Sequence, residues 1–253
     1  MSAPAADVRF VIITKNGAGW LNPILDGYRR LHIEPFVILD ESSSDGTEDI
    51  LKRRSIGYAK ARAEHPRVEA LIKFVPELVP SKWVVRLDDD ELPNRSLCEW
   101  VLAGAQTLPY KAVGFQRRTI RIAPSGRCEY SRHPTIVSRL GVLDAQWRMF
   151  QPDAVSYMSD IHTPGFRVPA GSPIAPRRAF IAHFTWLVRG LADRREQVAR
   201  YDLQAPDAGS RFRDVSLWEE SDIEAHRFAP METDEFDAAV AALRRSGDDD
   251  PDA

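Results

Sequence analysis

The sequence predicts an α/β fold, with a Rossmann-like, mostly parallel sheet bearing helices on both faces, a mixed-strand half after it and helices at the C-terminal end. Three observations carry this expectation. Strand-like and helix-like periods alternate through the first half, the pattern of a parallel sheet whose crossovers are helices. The strand-like runs are apolar on both faces rather than alternating, as fully covered strands are. Acidic residues follow two of these runs directly, at Asp40 and at Asp88, and open α/β sheets hold their ligands at strand C-termini.

The elements follow in chain order. Val8 to Thr14 is an apolar, β-branched run bounded by Lys15-Asn16-Gly17, which reads as a buried strand. Trp20, Leu21, Ile24, Leu25, Tyr28 and Leu31 recur at helical spacing, and Pro23 is tolerated in a first turn. Phe36 to Leu39 is a second strand ending at Asp40. Ser42 to Gly46 is a loop, and Thr47 is a candidate N-cap for a helix through about Ala63, with Glu48 and Asp49 favouring the helix dipole. Glu69 to Val75 is a third strand candidate, and Lys82 to Leu87 a fourth, running into Asp88-Asp89-Asp90-Glu91. Leu97, Trp100, Val101 and Leu108 then mark a covering helix.

Beyond Lys111 the pattern changes. Val113 to Ile122, Arg127 to Tyr130 and Thr135 to Ser138 read as strands, with Pro124-Ser125-Gly126 as a hairpin turn. Residues 151–178 are rich in Pro, Gly and Asp without a period, which points to an active-site loop or lid. Ala179 to Phe184 is a last strand, followed by helical patterns over Leu187 to Tyr201 and Asp234 to Arg245.

Composition narrows the function. The 253 residues suffice for one large α/β domain, with or without a helical appendage, and the net charge is −3. A nucleic-acid partner would show as a basic excess, so none is expected. No run reaches the ~20 apolar residues of a membrane span, and Met1 to Asp7 lacks the features of a signal peptide. Cys98 and Cys128 are the only cysteines, too few for a disulfide framework or a cysteine-based zinc site. A cytoplasmic location is expected, with peripheral contact at the inner membrane face left open.

Two segments carry chemistry. Asp40 at a strand end can accept from a nucleobase N–H or a ribose hydroxyl, and the Ser42 to Thr47 turn then opens a helix; a plain surface turn has the same composition. Asp88-Asp89-Asp90-Glu91 follows a buried strand, where clustered carboxylates repel one another unless a cation offsets them. Oxygen-only ligands suit Mn2+ or Mg2+, which also bridge diphosphate oxygens. The alternative is an acidic helix N-terminus before Asn94.

Together these segments resemble the family-2-type glycosyltransferases of the GT-A fold, which are inverting enzymes dependent on nucleotide-diphosphate sugars. Val11-Ile12-Ile13-Thr14-Lys15-Asn16 is similar to that family's first nucleotide-contacting segment. Val37 to Thr47 resembles its second strand and Asp-x-x-Ser-x-Asp-Gly-Thr loop, and Trp83 to Pro93 resembles its Asp-x-Asp segment in the branch reading Leu-Asp-x-Asp-Glu. The resemblance implies that Thr14 and Asp40 contact the base and ribose, with Asn16 and Asp89 also at the donor, that Asp88 lies against the ribose or the metal, that Asp90 ligates the metal, and that Asp45 braces the loop. The chain is expected to divide into a donor-binding half (1–110), an acceptor-binding half of the same domain (111–186), a C-terminal helical segment (187–246) and an acidic, disordered tail (247–253).

The second half is similar to branches that carry an Arg-Leu/Met-Phe segment, a His-Glu pair and a later His. Trp147-Arg148-Met149-Phe150, Ile161-His162-Thr163 and Ile181-Ala182-His183-Phe184 fall in that order, with Thr163 where the acidic residue belongs. Asp160 is therefore the candidate general base, with Asp144 and Asp153 as rivals, and His183 is a candidate further metal ligand or else a core histidine. The expected partners are a nucleotide-sugar donor, with a UDP-sugar favoured, and a saccharide or glycolipid acceptor. A nucleotidyltransferase, a nucleotide-diphosphate hydrolase and a non-catalytic nucleotide-binding protein are the other readings, since a fold alone does not dictate chemistry.

Overall fold

The computed structural model describes residues 7–63, 68–104, 109–133, 136–138, 140–159, 163–204, 213–220 and 227–248. In chain order the elements are β1 (Val8–Thr14), α1 (Leu21–Arg30), β2 (Phe36–Asp40), α2 (Thr47–Arg53), β3 (Tyr58–Ala61), a run of 3-10 turns (Val68–Phe74), α3 (Val75–Leu78), β4 (Trp83–Asp88), β5 (Glu91–Pro93) and α4 (Arg95–Gly104). They continue as β6 (Ala112–Ile122), β7 (Cys128–Ser131), β8 (Ala145–Phe150), β9 (Ser156–Tyr157), β10 (Phe166–Arg167), β11 (Phe180–His183), α5 (Thr185–Val188), α6 (Leu191–Gln204), α7 (Arg213–Ser216), β12 (Phe228–Pro230) and α8 (Asp237–Asp248). The chain forms two compact units, Met1–Gln116 with Gln146–Ile181 and Arg117–Ala145 with Ala182–Ala253.

The first unit is the α/β body expected from the sequence. β1 lies between β2 and β4, parallel to both, and β3 extends the sheet parallel to β2. β8 runs antiparallel to β4. Val11, Ile13, Ile38 and Val84 share a buried cluster with Leu71, Ile72 and Val75 of the 3-10 and α3 region, and with Phe150 and Phe166. Side chains alternate along a strand, so Phe10, Ile12 and Thr14 belong to the opposite face. α1 buries Leu21, Ile24, Leu25 and Tyr28. A Cβ on Gly27 would stand 2.5 Å from Leu92 Cδ1, so β5 approaches that helix more closely than any side chain there would permit.

Two expectations are corrected here. The helix from Thr47 stops at Arg53 instead of running to Ala63, and Tyr58–Ala61 becomes an edge strand. Ser55 takes a left-handed φ of 55°, and Gly57 inside a helix would cost about 1 kcal/mol relative to Ala. The chain turns there and pairs beside β2. The strand expected over Glu69 to Val75 is helical instead. Its buried residues Leu71, Ile72 and Val75 fall on a helical face rather than alternating.

The described residues of the segment 151–178, expected as an active-site loop or lid, include two short strands. β9 and β10 form a small antiparallel pair, Phe166 is buried against Phe150 with ring centroids 4.6 Å apart, and Gly165, at φ 83°, lies against Ile72.

In the second unit the later part of β6 pairs antiparallel with β7 through a turn at Gly126 (φ 81°), and β12 adds beyond β7. In place of the strand expected over Thr135 to Ser138 there is a single bridge between Val137 and Leu143, with Thr135 outside the described residues. The helix expected from Leu187 is split at Gly190, whose N–H donates to Asp193 Oδ2 (3.2 Å) as α6 begins. α5 packs with α8, where Phe184 meets Phe236 edge-on. Arg194 of α6 pairs with Glu219, and Arg195 with Glu220. Among the described residues no helix is long and apolar enough to cross a membrane.

Candidate functional site

The parallel register brings the ends of β1, β2 and β4 to one edge, with Thr14 beside Leu39 and Ile13 beside Asp88. The loops leaving those ends are stitched together. Asn16, at φ 53°, donates its N–H to Ser43 Oγ (3.2 Å) and accepts the Ser44 N–H on Oδ1 (2.9 Å). Gly17 N–H donates to Thr47 Oγ1 (2.9 Å), and Ala18 N–H to Asp45 Oδ2 (2.8 Å). Asp45 Oδ1 accepts from the Thr47 hydroxyl (2.5 Å) and N–H (3.1 Å). Burial alone would raise the Asp45 carboxyl, but the bonds from Thr47 and Ala18 together hold it below the ordinary carboxylate value. Asp45 is thus a brace, and Asn16 ties the same two loops.

Asp40 is 5% exposed. Its Oδ1 accepts both the N–H (2.8 Å) and the hydroxyl (2.5 Å) of Ser42, which fixes the rotamer. Oδ2 accepts no bond among the described residues, so one carboxylate oxygen is held ready at the strand end.

Thr14 is fully buried, and its hydroxyl donates to Asp89 Oδ2 at 2.5 Å, joining β1 to the acidic run. A Cβ on Gly17 would stand 2.6 Å from Thr14 Oγ1 and 2.9 Å from Asp89 Oδ2. Glycine is therefore what lets the first loop lie on this lock.

The acidic run is offset by arginines. Arg86, 3% exposed, reaches Asp88 Oδ1 at 2.7 Å. Arg148 bonds through Nη2 to Asp88 Oδ2 and to Glu91 Oε1, the latter at 2.8 Å. Glu91 has no exposed surface and accepts the Asp88 N–H on Oε2 (3.0 Å). The β4–β8 register pairs Val84 with Phe150 and Val85 with Met149; one step further it sets Arg86 opposite Arg148, on the face that carries Asp88. The cation that clustered carboxylates require is thus partly the protein's own. Asp90 is also buried. Tyr28, beneath the run, has its phenol pushed well above its ordinary pKa by burial and then by the charges of Cys98, Glu91 and Asp88.

Among the described residues no three His, Cys, Asp or Glu side chains form a group that could hold a metal by themselves. The donors at the end of β4 are carboxylate oxygens, and Asp88 and Glu91 are already bound to arginine. Carboxylate oxygens are the donor type that Mg2+ and Mn2+ take, and the described residues alone do not complete a site.

His183 ends β11 in the second unit, with Nδ1 3.0 Å from Thr119 Oγ1. That bond orients the ring, as it would for a metal ligand or for a structural histidine. Asp160 and His162 lie outside the described residues. Of the rival bases, Asp144 has a φ of 42° and pairs with Arg117 at 2.7 Å, while Asp153 is exposed in a 3-10 turn. The sequence reading passed over Arg86, named Glu91 only as one of the clustered carboxylates and noted Arg148 only within a motif. The missed signal was a charged residue in the middle of a buried strand, two positions before Asp88 and hence on its face.

No family model and no curated protein matches the chain. Among solved structures, it is similar to S. aureus TarS 1-349 at 10% identity, covering 83% of this chain and 69% of that one, with a TM-score of 0.47. A structure of the same TarS fragment with UDP-GlcNAc gives 10% identity, 84% and 70% coverage and a TM-score of 0.45. Glucosyl-3-phosphoglycerate synthase from Mycobacterium tuberculosis, in complex with Mn2+, UDP and glucosyl-3-phosphoglycerate, is 16% identical over 46% of this chain and 45% of that one, with a TM-score of 0.38. The chain spans 42% of the longer TarS structure.

Proposed function

We propose that the chain is a glycosyltransferase that takes a sugar from a nucleoside-diphosphate donor, a UDP-sugar by preference, and passes it with inversion to a hydroxyl of a saccharide or glycolipid. The observation that supports this best is that the ends of β2 and β4, on either side of β1, carry Asp40 with an open Oδ2 and the Asp88–Asp90 run held by Thr14, Arg86 and Arg148. A nucleotide laid across that edge meets a carboxylate for its base or ribose and hard oxygen donors for its diphosphate.

In this reading Asp40 Oδ2 accepts from the base or ribose, and Asp88 accepts a ribose hydroxyl while both arginines fix its rotamer. Thr14 and Asn16 act by holding Asp89 and the loop after β2. Asp90 is the proposed ligand of a divalent ion, which when bound offsets charge on the departing diphosphate. Asp160 removes the proton of the acceptor hydroxyl as that oxygen attacks the anomeric carbon in line.

A thermal-shift screen of nucleoside diphosphates, with and without Mn2+, tests the donor site, because a ligand of the native state raises its melting temperature by mass action. UDP should raise it, and more so with Mn2+; the absence of any shift with every nucleoside diphosphate would remove the donor-site reading. Asp160→Asn should lower donor-dependent transfer roughly 100-fold or more while leaving the Kd for UDP unchanged, as expected for a lost general base. Near-normal transfer by that variant would move the role to another carboxylate.

A further inference from the structure

Arg148 is the point at which β8 meets the acidic run, and its bonds reach beyond the rotamer of Asp88. Its Nη2 bridges Asp88 and Glu91, Glu91 in turn holds the Asp88 N–H, and Arg86 takes the other oxygen of Asp88. These bonds make a closed circuit around the β4–β5 turn, the turn that carries Asp89 and Asp90. Two guanidinium charges meet two carboxylate charges within it, so the buried Glu91 and the part-exposed Asp88 balance their arginines without an added ion. The circuit also fixes the direction of each acceptor. A carboxylate oxygen carries two lone pairs, so the arginines can hold Asp88 by one set and leave the other for a ligand at the open edge, where its side chain is 27% exposed.

We propose that Arg148, seconded by Arg86, is a positioning residue for the nucleotide donor: its bridge between Asp88 and Glu91 sets the Asp88 carboxylate and the following turn in the conformation that binds the donor. The proposal rests on the nucleotide-sugar reading of the same site. Lysine keeps the charge but not the geometry of the bridge: the two N–H bonds of Nη2 point in fixed directions within the guanidinium plane, whereas an ammonium is a point charge that rotates on a shorter, flexible stem. Glu91→Gln keeps the volume and one acceptor but removes the charge that Arg148 holds.

The test measures melting temperature together with the Kd for UDP in the presence of Mn2+ on the full chain. The variants are Arg148→Lys, Arg148→Met and Glu91→Gln, with Arg121→Lys as a control, since that arginine pairs with Glu129 in the second unit. Arg148→Lys and Glu91→Gln should raise the Kd about tenfold or more, the scale seen when partners that orient a ligand-bearing group are removed. Arg148→Lys should keep a near-native melting temperature, and Arg121→Lys should bind as the wild type does. Should Arg148→Met fail to fold, the other two variants carry the test. Wild-type Kd in Arg148→Lys and Glu91→Gln, whatever their melting temperatures, would show a purely structural arginine and overturn the proposal while leaving the donor site standing. Failure of the wild type itself to bind any nucleoside diphosphate would overturn both.

Discussion

Thr14, Gly17 and Asp89 show how little room the candidate site leaves at the scale of single residues. The Thr14 hydroxyl is committed to Asp89 at 2.5 Å, and Gly17 lies on the pair with no space for a methyl group. Gly17→Ala must either push Thr14 and Asp89 apart or move the loop, and overpacking of this kind costs about 1–3 kcal/mol. Urea unfolding should report that loss as a lower midpoint with an unchanged slope. A variant as stable as the wild type would mean that the first loop does not sit on the lock. Asp88 illustrates the complementary case. Its charge calls for a cation, and the sequence order Arg86-Leu87-Asp88 already placed one on the same face, two residues away.

At the scale of elements, the edge strand β3 is tied back to α2 by Glu48, which pairs with Lys60 at 2.5 Å and Lys52 at 3.0 Å and accepts the Tyr58 hydroxyl at 2.8 Å. Lys60, then Lys52 and Tyr58, hold the Glu48 carboxyl at about 2, below its usual 4.5. A carboxyl depressed in the folded state stabilises fully above its unfolded pKa and loses that contribution as the pH falls through the folded one. Melting temperatures measured as pH is lowered from 4.5 toward 2 should therefore fall less steeply in Glu48→Gln than in the wild type. Parallel curves would remove Glu48 as a link in the acid-side stability. The same region shows where the sequence was legible. β1, β2 and β4 are apolar runs ending in polar residues, and their order and ends were readable. α2 and β3 were not, because Tyr58-Ala59-Lys60-Ala61 has helical composition and becomes a strand only through its parallel partner β2. Leu71, Ile72 and Val75 misled for the opposite reason, since a short apolar run carries no period of its own until its neighbours are known. The bridge from Arg148 depends on the β4–β8 register, a pairing between segments about sixty positions apart that no local pattern encodes.

At the scale of the molecule, the proposed donor residues Thr14, Asn16, Asp40 and Asp88 to Asp90 all belong to the first unit. Donor binding can therefore be measured apart from transfer, which also needs the acceptor and a base. Asp40 and Asp90 separate a binding role from a structural one. Asp40→Asn replaces a carboxylate oxygen by an amide at the proposed base or ribose contact. Asp90→Asn removes one charge from a run of four carboxylates, so without metal its stability should be unchanged or higher; were Asp90 only a helix-dipole residue, stability would instead drop by a few tenths to about 1 kcal/mol. The most direct measurement is isothermal titration of UDP into the wild type, Asp40→Asn and Asp90→Asn, each with Mn2+ and with a chelator. A nucleotide-sugar site predicts Mn2+-dependent binding by the wild type, weakened binding by Asp40→Asn, and loss of the Mn2+ dependence in Asp90→Asn. No binding by the wild type at roughly millimolar UDP, or three titrations that cannot be told apart, would contradict it.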